Sequence, residues 1–194
     1  GERLTPAVLG VLASQGYYRL NVYKKPRAVI ISTGSELFEP GEERREYGIY
    51  NSSYYTLAGY LRRLGLEVVS AGTVEDDPDA ISGLTAESLK SADMVITTGG
   101  ASVGDYDYAL YAARCVGARP LFWKLNMKPG GAMLAAEKDG RLLLSLSGNP
   151  AAAIMGILAA AQPYLRKLCG LTDSAGQELT LPLKYDLPKT SSAT

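Results

Sequence analysis

The pattern of apolar and polar positions changes period several times along the chain, and each change marks an element. Residues 27–33 ("RAVIIST") are a continuous apolar run, as expected for a strand covered on both faces. The next stretch, "GSELFEPGEERREYGIY", is polar, charged and punctuated by glycine, and reads as a long loop. Tyr54, Leu57, Ala58, Leu61 and Leu64 then recur at helical spacing, with Gly65 as the stop. Residues 66–74 ("LEVVSAGTV"), 92–98 ("ADMVITT") and 119–127 ("RPLFWKLNM") predict three further strands. Between them lie a helix begun by Asp77 as N-cap and Pro78 at its first position, and another over 106–116 ending at Gly117. Asp139-Gly140 between two apolar runs is the strongest hairpin signal. Finally Asn149 and Pro150 open a long helix reaching to Cys169, with Ala153, Ile154, Ile157, Leu158, Ala161 and Leu165 on one face and Gly170 as its stop.

This β-α-β alternation predicts an α/β fold: a three-layer α/β/α arrangement with a mostly parallel sheet plus a β-hairpin. Three segments are expected: 1–26, 27–170 and 171–194. The first holds a short helix (Pro6 to Ser14), a stop at Gly16, a short strand near Arg19–Val22 and a boundary at Pro26. It is too small to fold alone and is expected to belong with another domain. The tail has strand-like residues ("ELTLPL") and a Ser/Thr end, as the start of a further domain or a linker would. In open parallel sheets, ligands bind beyond the carboxyl ends of the strands. The loops at 33–37, 75–79, 97–107, 126–132 and 145–150 should therefore converge on one edge.

Composition narrows the chemistry. The chain has 194 residues, enough for one ample domain, with 46% hydrophobic residues to fill a core. Basic and acidic residues both number 20, so no excess of positive charge argues for nucleic acid or an anionic membrane. "SGNP" interrupts the apolar stretch from Leu142 to Ala161, so neither half would span a bilayer. No signal-peptide pattern opens the chain, and two distant cysteines, Cys115 and Cys169, suit a reducing compartment; a cytoplasmic protein is expected. There is no histidine, which excludes a Ser-His-Asp or Cys-His nucleophile and any imidazole-bound zinc. A metal here would be held by oxygen, which favours Mg²⁺.

The motif "TTGGASVGDYD" (97–107) is neither a dinucleotide fingerprint, since Ala101 occupies the second glycine position, nor a Walker A loop. Asp105 suits an N-cap, which leaves Asp107 unexplained. Glycine amides at such a turn donate to phosphate oxygens, and a bridging Mg²⁺ would reconcile that phosphate with the carboxylates. In "EDDPD" capping by Asp77 and a first-turn position for Asp79 leave Asp76 as the spare acid. Glu36, Asp76, Asp105 and Asp107 on one sheet edge would make a cation site. Lys128 is a candidate phosphate partner, and "SGNP" (147–150) offers a helix N-terminus to an anion.

"VIISTGSEL", "VEDDP", "VITTGGASVGDYD", "MKPGG" and "LSGNPAAA", in that order, resemble the molybdopterin-binding domain of molybdenum cofactor biosynthesis proteins. The segment before Arg27 is similar to the one that joins the dimerisation domain to this domain in the molybdopterin molybdenumtransferase branch. The resemblance implies that adenylylated molybdopterin is bound, that molybdate is inserted at its dithiolene, and that AMP is released with the help of Mg²⁺. It implies catalytic and metal-binding roles for Glu36, Asp76 and Asp107. It implies substrate binding by Thr33, Gly34, Gly99, Gly100, Ser102, Gly104, Asp105, Lys128, Ser147, Gly148, Asn149 and Pro150. Residues 1–26 would then be the end of a dimerisation-type domain and 171–194 the start of a C-terminal β domain. A homodimer of the whole protein and contacts with other cofactor-biosynthesis enzymes are implied as well.

The chain departs from the family pattern at several of these places. Ser35 stands where an Asp is usual, Asn51, Ser52 and Ser53 replace "D-[ST]-N", Gly131 and Ala132 replace Lys and Pro, and Ser147 replaces a Pro. Each change removes a charge or a rigid turn. The alternatives are therefore a non-catalytic molybdopterin-binding paralogue, or a same-fold molybdopterin adenylyltransferase or nucleotide pyrophosphatase.

Overall fold

A computed structural model describes residues 3–99, 106–172, 180–182 and 184–185; of Tyr106 and Asp107 it describes only the backbone. The elements, in chain order, are α1 (Pro6–Ser14), β1 (Arg27–Thr33), β2 (Leu37–Phe38), β3 (Ile49–Tyr50), α2 (Ser52–Leu64), β4 (Glu67–Val74), α3 (Pro78–Leu89) and β5 (Met94–Thr98). They continue with α4 (Tyr106–Cys115), β6 (Arg119–Trp123), β7 (Met133–Lys138), β8 (Arg141–Leu146), α5 (Pro150–Gly156), a π-helical turn (Ile157–Ala161) and α6 (Gln162–Leu168).

The apolar runs assemble as one sheet in the order β4-β1-β5-β8-β7-β6. β1 pairs in parallel with both β4 and β5, and β5 pairs in parallel with β8. The hairpin strand β7 is antiparallel to both its neighbours. Its turn is Asp139-Gly140, with φ of 50° and 77°, the left-handed pair that a tight hairpin needs.

Successive strand residues point to opposite faces, so each strand feeds two cores. Ala28, Ile30, Ile96 and Leu144 pack under α2 and the α5–α6 helix through Leu57, Leu61, Ile157 and Leu165. Val29, Ile31, Val95 and Leu143 pack under α3 and α4 through Leu89, Ala113 and Val116. Fully burying a side chain such as Leu57 or Leu61 contributes about 1.5–3 kcal/mol. The three layers are thus as expected.

Three local expectations are corrected. No strand forms near Arg19–Val22: Tyr17, Tyr18, Val22 and Tyr23 are exposed, and the segment has no ladder partner among the described residues. The strand expected over 119–127 is an edge strand antiparallel to β7 and stops at Trp123, where Lys124 takes φ 66° and regular strand geometry ends. The last helix is not uniformly α-helical. Pro163 lacks an N–H and its ring would clash with the carbonyl four residues back. A π-helical turn immediately before α6 absorbs that clash, leaving Pro163 in α6's first turn. The same turn keeps Ala153, Ile157, Ala161 and Leu165 buried at intervals of four, whereas a pure α-helix would rotate such a stripe by about 40° per step. The "ELTLPL" reading falls largely outside the described residues.

Candidate functional site

Four parallel strands end at one edge, and short contacts show their loops meeting there. At the end of β1 the Gly34 N–H donates to the Val74 carbonyl at the end of β4, 3.1 Å away. Gly99, after β5, lies directly against β1: a Cβ on it would stand 2.0 Å from the Thr33 carbonyl oxygen. Gly148, after β8, packs on Gly99, where its own Cβ would lie 3.1 Å from the Gly99 Cα. The β6–β7 loop joins through Gly130, whose Cβ would meet the Ala152 carbonyl and the Gly156 nitrogen of α5, each at 2.9 Å. The glycines after these strands are therefore dictated by close backbone approach.

Thr33 is buried at this junction, and its Oγ1 has no hydrogen-bond partner among the described residues. Since a buried hydroxyl left unpaired is costly, Thr33 is a polar group available to a ligand. Glu36 is exposed, and its carboxylate folds back over Gly34: a Cβ there would lie 2.8 Å from Glu36 Oε2. Asp76 is exposed in the β4–α3 loop, beside Asp77. Asp77 is the N-cap of α3, its Oδ1 accepting from Asp79 N at 2.8 Å and Ala80 N at 3.3 Å. Lys128 is exposed in the β6–β7 loop. Asp107 lies in the first turn of α4, with its side chain outside the described residues; Gly100, Ser102, Gly104 and Asp105 lie outside them entirely.

The "SGNP" loop is organised by its own side chains. Ser147 Oγ accepts from Asn149 N, and Asn149 Oδ1 accepts from Ala151 N and Ala152 N at 2.9 and 3.2 Å. Asn149 thus caps α5, with Pro150 at its first position, and occupies two of the amides at that helix start.

Asn51 and Ser53, which depart from the family pattern, have partners of their own. Asn51 is buried and caps α2, its Oδ1 accepting from Tyr54 N. Its Nδ2 donates to Ser32 Oγ and to Glu39 Oε1, both at 2.9 Å. Tyr55 donates to the other Glu39 oxygen, and that hydrogen bond holds the Tyr55 phenol above its ordinary range. Ser53 Oγ donates to the Gly148 carbonyl at 2.5 Å, tying α2 to the "SGNP" loop. These tethers, with the parallel β2–β3 pairing, fold the 34–50 loop back over the β1 end. Asn51 was legible as an N-cap type before a helix; nothing local signalled Glu39 or the Ser53 contact. At Gly131 a Cβ would lie 2.4 Å from the Met127 carbonyl and 2.5 Å from that of Leu125, so this loop conformation excludes any side chain there.

No three Cys, Asp or Glu residues gather into a metal-binding group among the described residues. Mg²⁺ does not require one, because it is held by one or two carboxylates plus waters and substrate oxygens. Glu36 and Asp76 are exposed carboxylates on loops that follow β1 and β4, a donor set of that kind. No described helix is long and apolar enough to cross a membrane.

The family model described as a probable molybdopterin binding domain matches residues 29–167. Molybdopterin molybdenumtransferase of Staphylococcus aureus (strain MRSA252) is 36% identical over 194 residues, which are 100% of this chain and 46% of that protein. The corresponding protein of Staphylococcus epidermidis (strain ATCC 12228 / FDA PCI 1200) is 34% identical over the same shares. The chain thus spans about half the length of the curated relatives it matches. Among solved structures, a molybdopterin biosynthesis MoeA protein from Pyrococcus horikoshii superposes with a TM-score of 0.76 at 24% identity, over 87% of this chain and 42% of that one. A molybdopterin biosynthesis protein from Mycobacterium abscessus gives 0.60 at 18% identity, over 75% of this chain and 94% of that one. At those identities the two structures speak to the fold.

Proposed function

The chain belongs to the family of probable molybdopterin-binding domains, and from that premise we propose that it binds adenylylated molybdopterin at the edge where β1, β4, β5 and β8 end. The activity proposed for the whole protein is that of a molybdopterin molybdenumtransferase, in which molybdate is inserted at the dithiolene and AMP is released by cleavage of the pyrophosphate. The observation that carries this reading is the convergence of Thr33, Gly99 and Gly148 at one junction, with an unpartnered buried hydroxyl among them.

In this reading Gly99 and Gly148 let the loop ends close on one another beside the pyrophosphate, and Thr33 Oγ1 donates to it. Gly100, Ser102 and Gly104 continue the same loop, and Lys128 adds positive charge from the β6–β7 side. Ser147, Asn149 and Pro150 hold the opposite loop in shape. Glu36, Asp76 and Asp107 would hold Mg²⁺, and Asp105 would cap α4. When bound, that ion supplies positive charge to the phosphoryl oxygens. No protein nucleophile is needed: the residues orient the phosphates and exclude bulk water.

The same premise assigns residues 1–26 to the end of a dimerisation-type domain and 171–194 to the start of a C-terminal β domain. A cytoplasmic homodimer working beside other cofactor-biosynthesis enzymes completes the reading. Calorimetry on the full-length protein tests it. Adenylylated molybdopterin should bind more tightly with Mg²⁺, and Asp107→Asn should abolish the Mg²⁺ effect at nearly unchanged stability. Absence of binding by any pterin nucleotide would overturn the reading.

One observation favours a second reading, a non-catalytic pterin carrier. The loop at Gly131 has no room for the lysine usual in the family. Such a carrier would bind adenylylated molybdopterin and release no AMP, which a single-turnover assay distinguishes.

A further inference from the structure

α3 and α4 pack side by side on the face of the sheet away from α2. Each carries one of the proposed cation-side acids near its start: Asp76 just precedes the α3 cap, and Asp107 lies in the first turn of α4. Among the described side chains of this region, Ala112, Ala113 and Val116 are buried, and Ala109 and Leu110 pack partly buried against the same core. A side-chain tie from α4 to a neighbouring element would fix it beyond that core packing. Tyr111 supplies one. Its Oη donates to Asp79 Oδ1 at 2.8 Å, across 32 residues of sequence. Tyr111 is one helical turn beyond Asp107 and on the same side, so their Cα atoms are about 6 Å apart along the axis. Asp79 is in the first turn of α3, three residues after Asp76. The bond therefore ties the middle of α4, one turn beyond Asp107, to the first turn of α3, just after Asp76.

We propose that Tyr111 is a positioning residue: by clamping α4 to the first turn of α3 through Asp79, it sets the spacing between Asp107 and Asp76 and hence the affinity for the divalent cation. This rests on the reading of those two acids given above. The Asp79 carboxylate, and after it the Cys115 thiol, push the Tyr111 phenol to about 12. The hydroxyl thus remains a donor at every working pH.

The test uses Tyr111→Phe in the full-length protein, which removes only the hydroxyl. The readout is the Mg²⁺ concentration giving half of the gain in adenylylated-molybdopterin binding, measured by calorimetry. Loss of one exposed charge-assisted hydrogen bond should raise that midpoint about 3- to 5-fold, with thermal stability nearly unchanged. Asp79→Ala should behave likewise, while Asp79→Asn, which keeps an acceptor oxygen, should stay within about 2-fold of the parent. An unchanged midpoint in Tyr111→Phe, where Asp107→Asn abolishes the Mg²⁺ effect, would overturn the clamp and leave the cation reading standing. If Asp107→Asn keeps the Mg²⁺ effect, the cation reading fails and takes this inference with it. Amide exchange at residues 108–111 tests the clamp without ligand: Tyr111→Phe should speed it about 3- to 5-fold, and equal rates would overturn the proposal.

Discussion

Gly99→Ala should be among the most damaging small substitutions in the chain. Gly99 ends β5 at φ 104°, a backbone region that a residue with a Cβ rarely adopts. Enforcing it on alanine costs about 1–2 kcal/mol. The added methyl would also stand 2.0 Å from the Thr33 carbonyl oxygen and 2.8 Å from Thr33 Oγ1. Backbone cannot rotate away as a side-chain tip can, so the ends of β1 and β5 must separate by roughly 1 Å, an overpacking cost of about 1–3 kcal/mol. Together the substitution should cost about 2–5 kcal/mol, which for a domain of this size lowers Tm by about 5–15 °C. Urea unfolding followed by circular dichroism measures the loss.

Two controls separate its parts. Gly72 in β4 has φ 91° and nothing within 4 Å of a built Cβ, so Gly72→Ala isolates the backbone term at about 1–2 kcal/mol. Gly148→Ala has no positive φ and meets no atom nearer than the Gly99 Cα at 3.1 Å, so it should cost less than about 1.5 kcal/mol. The reasoning is refuted if Gly99→Ala costs no more than Gly72→Ala. That result would mean the β1 and β5 ends are not in the contact described. Pterin-nucleotide binding should fall with Gly99→Ala and survive Gly72→Ala, since Gly72 touches no site loop.

Other substitutions probe the tethers and the titrating groups. Ser53→Ala should cost about 1 kcal/mol through its lost bond to the Gly148 carbonyl and should weaken ligand binding, read by denaturant midpoint and calorimetry together. Asn51→Asp removes the donor to Ser32 Oγ and sets a second carboxylate against Glu39, so a loss of about 1–3 kcal/mol at neutral pH is expected; a gain would contradict the geometry. The Tyr111 phenol is raised when folded, so its bond to Asp79 is complete below pH 10 and is lost as pH rises from 10 to about 12; Tyr111→Phe should abolish any added rise in amide exchange at residues 108–111 over that range. Burial raises the Cys169 thiol, while Cys115 is exposed, so alkylation followed by peptide mapping should label Cys115 first.

Much of this protein is determined within a few residues at a time. Asp77 with Pro78, Asn149 with Pro150, Gly65 after α2 and Asp139-Gly140 in the hairpin were readable because a cap or tight turn is decided by neighbours within about four positions. Continuous apolar runs likewise announced strands covered on both faces, and their alternation with helices announced the layers. The same locality explains the failures. Apolar spacing placed the last helix but did not weigh Pro163 against it, and only packing on the sheet shows why a π-helical turn is the compromise. Lys124 adopts a left-handed conformation that its residue type does not announce, and the fourth strand ends there. Strand order, the seating of Gly99 on Thr33, the reach of Ser53 to Gly148 across 95 residues and the Tyr111–Asp79 bond arise only when the crossovers close. Each joins segments far apart in the chain, so the energy deciding it is that of contacts absent until the sheet has assembled. Sequence named the candidate glycines and acids; tertiary structure decided which of those glycines touch and which side chains hold them there.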